Sequence, residues 1–168
     1  MRRAIYPGTF DPFTKGHLHI VEKASRLFDE VIILIVTHPS KKTMFSIEER
    51  IAFIQASITG LFNVKIQHAS GLTVQFAKDV GACAMIRGIR NEKDYAYEAE
   101  LASINQILAN TVETVFLMSH ASYAHISSSN VKTIAKYEGD LSSFVHPIVA
   151  SALYTYFKHQ DAVNEEDS

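Results

Sequence analysis

The chain has 168 residues, 47% of them hydrophobic, which is enough apolar surface for one well-buried domain and too little for two. Its formal net charge is −2 with acidic and basic residues mixed along the length, which excludes the basic footprint of a nucleic-acid binder or a membrane-surface protein. One cysteine excludes a disulfide framework and a thiolate metal site. With no apolar leader and no run of membrane-spanning length, the expectation is a cytoplasmic protein without nucleic-acid or membrane partners.

Residues 4–6 read as a short apolar strand, followed by a glycine- and proline-bearing turn, 8–17, and a helix over 16–28. The uninterrupted apolar run 31–36 has the character of a strand buried on both faces of a parallel sheet. Ser46 with Glu49 forms a capping box for a helix carrying Ile47, Ile51, Ile54 and Ile58 at helical spacing. A short strand at 64–66, a helix at 72–79 ended by Gly81, and a strand at 82–86 follow, with Cys83 read as a buried strand residue. Then come a long helix over 94–109, a fifth strand at 114–118, and helices over 128–137 and 147–158. Residues 1–158 thus read as one domain, and 159–168 lose periodicity and gain charge, as a frayed or disordered tail would.

Strands alternating with helices predict a doubly wound, five-stranded parallel sheet of the α/β class. Ligands of such sheets bind beyond the carboxyl ends of the strands. The unusual polar segments fall there: 8–17 after the first strand, 38–43 after the second, 87–91 after the fourth and 119–132 after the fifth.

Each segment holds candidates for phosphate chemistry. A lone histidine is ordinarily a solvated or structurally satisfied side chain, but the Gly16-His17 pair opens a helix just after the first strand, where unpaired N–H groups attract an anion. Thr9 lies in the same loop; Asp11-Pro12 reads as a turn former, because a carboxylate repels phosphate. Lys41 is a candidate point charge for phosphate, while Lys42 reads as solvated. Arg87 and Arg90 can grip phosphate oxygens as forks, with Gly88 between them; the alternative is an ordinary salt-bridge pair with Glu92 or Asp94. Ser127, Ser128 and Ser129 can cap a helix and offer hydroxyls, with Lys132 one turn further on as a second wall for a polyphosphate. Glu98 and Glu100 pair with no histidine at metal-ligand spacing, and neither a P-loop nor a dinucleotide glycine fingerprint is present.

Thr14-Lys15-Gly16-His17 and Ile126-Ser127-Ser128-Ser129-Asn130-Val131-Lys132 resemble the (His/Thr)-x-Gly-His and Ile-Ser-Ser-(Ser/Thr)-x-x-(Lys/Arg) motifs of the nucleotidylyltransferase superfamily. Threonine at 14, Tyr6-Pro-Gly-Thr-Phe-Asp-Pro12, Pro39-Ser-Lys-Lys42 and Ile86-Arg-Gly-Ile-Arg90 narrow the resemblance, over residues 3–157, to the bacterial phosphopantetheine adenylyltransferases. The resemblance implies a Rossmann-like nucleotidylyltransferase fold and adenylyl transfer from ATP to 4′-phosphopantetheine, giving dephospho-coenzyme A and pyrophosphate without a covalent enzyme intermediate. It implies that His17 stabilises charge on the α-phosphate, with Lys41 and Arg90 also in the catalytic set. ATP would meet Thr9, Phe10, Gly88, Ile89, Arg90, Glu98, Tyr123, Ala124, His125, Ile126 and the serines 127–129. Pantetheine would meet Thr9, Lys41, Thr73 and Arg87, although Thr73 stands where some relatives carry a larger apolar residue, and Gly71 where some carry an acidic one. Mg²⁺ would arrive with ATP, through phosphate oxygens and water. The resemblance further implies a homohexamer, a dimer of trimers, with coenzyme A as a feedback inhibitor. The competing readings are another nucleotidylyltransferase, using nicotinamide mononucleotide or a phospho-alcohol with CTP, and a nucleotide sensor that has lost turnover.

Overall fold

The computed structural model describes residues 1–37 and 42–166. Five parallel strands form one sheet: β1 (Arg3–Gly8), β2 (Glu30–Thr37), β3 (Val64–Ser70), β4 (Ala84–Ile89) and β5 (Glu113–Met118). Their spatial order is β3-β2-β1-β4-β5, so the chain reverses direction across the sheet between β1 and β4. The connecting helices are α1 (Lys15–Leu27), α2 (Ile47–Ser57), α3 (Thr73–Asp79) and α4 (Glu92–Leu108). A short 3₁₀ turn, Ala121–Tyr123, precedes α5 (Ser128–Lys136) and α6 (Pro147–Glu166).

The pleat divides the apolar runs between two cores. Ala4, Tyr6, Val31, Ile33, Ile35, Ala84 and Ile86 pack against α1 and α2, whereas Ile5, Ile32, Leu34 and Met85 pack against Val74 and Ala77 of α3. A third cluster joins Phe45 and Phe53 to Ile126, Val131, Val149 and Leu153, and so holds α2, α5 and α6 together. Each large aliphatic side chain buried in this way contributes about 1.5–3 kcal/mol.

One feature of the sheet positions the site. β1 stays paired with β2 as far as Gly8↔Ile35, but its pairing with β4 covers only Ala4↔Ala84 and Ile5↔Met85. Two residues later Pro7 has no N–H to offer. The two strands therefore part at their carboxyl ends, where the strand order reverses.

The structure revises several expectations. Cys83 is exposed, because β4 begins only at Ala84. Helix α4 starts at Glu92, capped by Asn91, and buries none of its residues; Tyr97 and Ile107 are 62% and 85% exposed. Its apolar side chains are therefore not core. α6 continues to Glu166, past the expected end at Lys158, because alanine, glutamine and glutamate keep helical geometry after apolar periodicity ends. Among the described residues no helix is long and apolar enough to cross a membrane.

Candidate active site

The β1–α1 loop holds His17 by a capping box. Thr14 caps α1: its Oγ1 accepts the His17 N–H at 3.3 Å, and its own N–H donates to His17 Nδ1 at 3.0 Å. A backbone N–H can only donate, so Nδ1 carries the lone pair and the proton of the neutral ring sits on Nε2. Burial first, and then the Arg90 charge, push the His17 pKa down to about 4. The ring is thus a neutral donor at physiological pH. Phe10 lies edge-on to it at 5.2 Å, Phe13 is tilted against it at 5.5 Å, and the two phenyl rings touch each other at 5.5 Å. Phe10 takes a left-handed φ of 50°, and its buried ring occupies the space that a Cβ on Gly8 would need, 2.7 Å away. Only the Phe10 backbone is left to face a ligand.

β4 delivers the arginines as the sequence suggests, but each is already paired. Arg87 binds Glu98 through two bonds, of 2.5 and 2.6 Å, and also donates to the Pro7 carbonyl at 3.3 Å. Arg90 binds Asp94 through Nε at 2.8 Å and Nη2 at 3.1 Å, and the Asp94 carboxyl is held below its usual range by that contact. The salt-bridge alternative is therefore realised for Arg90, with Asp94 as its partner. A Cβ at Gly88 would meet Ile20 Cγ1 at 3.1 Å, a tight contact that the Ile20 side chain would have to relieve. Ile89 is 1% exposed, and its carbonyl accepts the Ser119 N–H at 2.8 Å.

In the segment after β5, Ser127 caps α5 by accepting the Asn130 N–H at 3.1 Å. Ser128 Oγ donates to the Pro12 carbonyl at 2.8 Å, which fastens α5 to the first loop. Ile126 is buried against that loop, Tyr123 and Ala124 close the 3₁₀ turn, and His125 and Ser129 are exposed.

Where β1 and β4 part, a cavity of about 270 Å³ opens, lined by His17, Gly88, Arg90, Glu98, Tyr123, Ile126, Ser127 and Ser128 among others. A second cavity of about 120 Å³ brings Thr73, Arg87 and Glu98 together. Glu98 lies on both walls. Thr9, Phe10, Ile89, Ala124, His125 and Ser129 are on neither. Lys41 lies outside the described residues. Lys132 is on neither wall and donates to Asp11 at 2.6 Å.

Sequence reading missed Tyr6, Ser119 and Asp94 as wall residues. Burial pushes the Tyr6 phenol well above its usual range, against the Arg87 and Arg90 charges, so it remains a neutral hydroxyl. Its position just before Pro7, at the strand's carboxyl end, was the available signal.

The sequence profile of the cytidylyltransferase-like family matches residues 5–134. A phosphopantetheine adenylyltransferase of Desulfitobacterium hafniense is 48% identical over 92% of this chain and 94% of its own. That of Lacticaseibacillus casei is 50% identical over 90% and 91%. The chain belongs to the phosphopantetheine adenylyltransferase family. Its fold extends beyond the family: Plasmodium falciparum nicotinic acid mononucleotide adenylyltransferase, solved with NaAD, superposes with a TM-score of 0.69 at 15% identity, over 92% of this chain and 95% of that one.

In this phosphopantetheine adenylyltransferase family member the carboxylates beside the cavity do not fit a metal held by protein. Asp94, Glu98 and Asp11 are engaged by Arg90, Arg87 and Lys132. Among the described residues, no group of three or more His, Cys, Asp or Glu could hold an ion.

Proposed function

We propose that the protein transfers the adenylyl group of ATP to 4′-phosphopantetheine, giving dephospho-coenzyme A and pyrophosphate, the penultimate step of coenzyme A biosynthesis. The observation that carries this reading is the neutral His17 ring, its Nδ1 taken by the Thr14 N–H, beside Arg90 on the larger cavity. The names of the relatives at 48–50% identity select phosphopantetheine as the acceptor.

The acceptor's phosphate oxygen attacks the α-phosphorus in line; the new P–O bond forms as the bond to the β-phosphate bridging oxygen breaks, and pyrophosphate carries away the electron pair. Charge develops on the α-phosphoryl oxygens and on the leaving group, so catalysis rests on placement and on fixed donors. His17 Nε2–H supplies one donor, and Arg90 and the N-terminus of α5 at Ser127 and Ser128 supply others. Thr9, Phe10 and Ile89 would serve through the loop backbone, with Tyr123–Ser129 along the adenylyl side. Thr73 and Arg87, in the smaller cavity, suit the pantetheine phosphate, together with Lys41. Mg²⁺ enters as part of the substrate, on ATP phosphate oxygens and water.

A cytoplasmic homohexamer, a dimer of trimers inhibited by coenzyme A, goes with this reading. The unburied apolar side chains of α4 support an assembled state, because singly they would leave Tyr97 and Ile107 to solvent.

A pyrophosphate-release assay with ATP tests the assignment. Turnover with 4′-phosphopantetheine and none with nicotinamide mononucleotide is expected; the opposite pattern replaces this function with the other adenylyl transfer, and no turnover with any acceptor leaves the sensor.

A further inference from the structure

The loop between β1 and α1 is fastened from two sides before it reaches Thr14 and His17. Arg50 of α2, 2% exposed, donates through Nη1 to the Thr9 carbonyl at 2.9 Å. Ser128 of α5 holds the Pro12 carbonyl. Between these points the Asp11 carboxylate, 7% exposed, is the hub: Oδ2 accepts the Met44 N–H at 2.9 Å and Lys132 Nζ at 2.6 Å, and Oδ1 accepts the Phe45 N–H at 2.9 Å. Burial pushes this carboxyl up, but Lys132 and the two N–H donors outweigh it, and the net direction is down. One buried carboxylate thus joins the His17 loop, the chain leading into α2, and α5.

This changes what the lysine of the serine motif is for. Lys132 is on neither cavity wall, and its ammonium is committed to Asp11. A buried carboxylate without a counter-charge costs far more than an exposed one, so removing the lysine leaves the Asp11 charge to the Met44 and Phe45 N–H groups alone. We propose that Asp11 is a positioning residue for the His17 loop, and that Lys132 serves the reaction as the counter-ion of Asp11, not as a ligand of a substrate phosphate. The proposal rests on the adenylyl-transfer reading; wild-type turnover in the same assay checks that reading separately.

The test is a double-mutant cycle of Lys132→Met and Asp11→Asn, with kcat, both KM values and inorganic pyrophosphate affinity measured for each protein. Lys132→Met is expected to lower kcat at least about tenfold, with pyrophosphate affinity and the KM for ATP within about twofold of wild type. Adding Asp11→Asn should restore part of the loss, because the stranded charge is gone. Lys132→Arg should retain activity. Losses that multiply in the double variant, or a pyrophosphate affinity that falls about tenfold in Lys132→Met, would overturn the proposal. A structure of the wild-type protein with a non-hydrolysable ATP analogue decides the matter even if the variants do not fold. Lys132 Nζ is expected to stay on Asp11; its transfer to a phosphate oxygen refutes the counter-ion role.

Discussion

The Thr14 N–H donates to His17 Nδ1 at 3.0 Å while Thr14 Oγ1 receives the His17 N–H, so a helix cap also decides which nitrogen of the histidine bears the proton. Loss of the hydroxyl in Thr14→Ala should lower stability by about 1 kcal/mol. Turnover should fall as well, because the His17 backbone loses the bond that seats the residue on the cap. Thr14→Ser should restore both in thermal melts and steady-state kinetics.

On the proposed mechanism His17→Ala removes a donor aimed at developing charge, so kcat should fall by about 10²–10³ with little change in either KM. If only the Michaelis constants change, His17 is a binding group and not a transition-state donor.

The depressed pKa of His17 has a consequence for stability. The unfolded chain takes up a proton below about 6.5, whereas the folded ring resists until about 4. Stability from this group is therefore complete above the upper value and drains away as pH falls through that window. His19, also depressed, acts in the same direction. Urea denaturation of the wild type and His17→Gln across the window isolates the His17 part: the wild type should lose more stability on acidification, and parallel curves would mean that the ring titrates normally in the fold.

Gly8→Ala would place a Cβ 2.7 Å from the Phe10 ring. Overpacking of this kind costs about 1–3 kcal/mol, and the displaced ring no longer braces His17. Both melting temperature and kcat should drop; a loss of stability with full turnover would show that the brace is dispensable.

Much of this molecule is legible in its sequence for definite reasons. The run at 31–36 could only be a strand covered on both faces, and Ser46 with Glu49 forms the capping box that its spacing predicts. Gly16 and His17 lie in the first turn of α1 and line the larger cavity, as a glycine-histidine pair at a helix start just after the first strand suggests. What was hidden is tertiary. Arg87 takes Glu98, eleven positions on, where the sequence offers only Glu92 or Asp94, and even for Arg90, whose partner Asp94 it does offer, no spacing rule reports whether a fork holds a carboxylate or waits for a phosphate. Asp11 reads locally as a turn residue; its partners are 33, 34 and 121 positions away. Whether the apolar residues of α4 are core stays open in the sequence, because apolar periodicity cannot tell a domain's own interior from a surface left for another chain; in the fold none of them is buried.

Glu98 and Arg87 form a partition with a cavity on either side. On the proposed placement of the substrates, a phosphate that drew Arg87 from Glu98 in the smaller cavity would leave a bare carboxylate facing the larger one, and would alter the charge that the second ligand meets. Such communication is mutual by thermodynamic necessity: whatever factor the nucleotide imposes on the thiol-bearing substrate, that substrate returns.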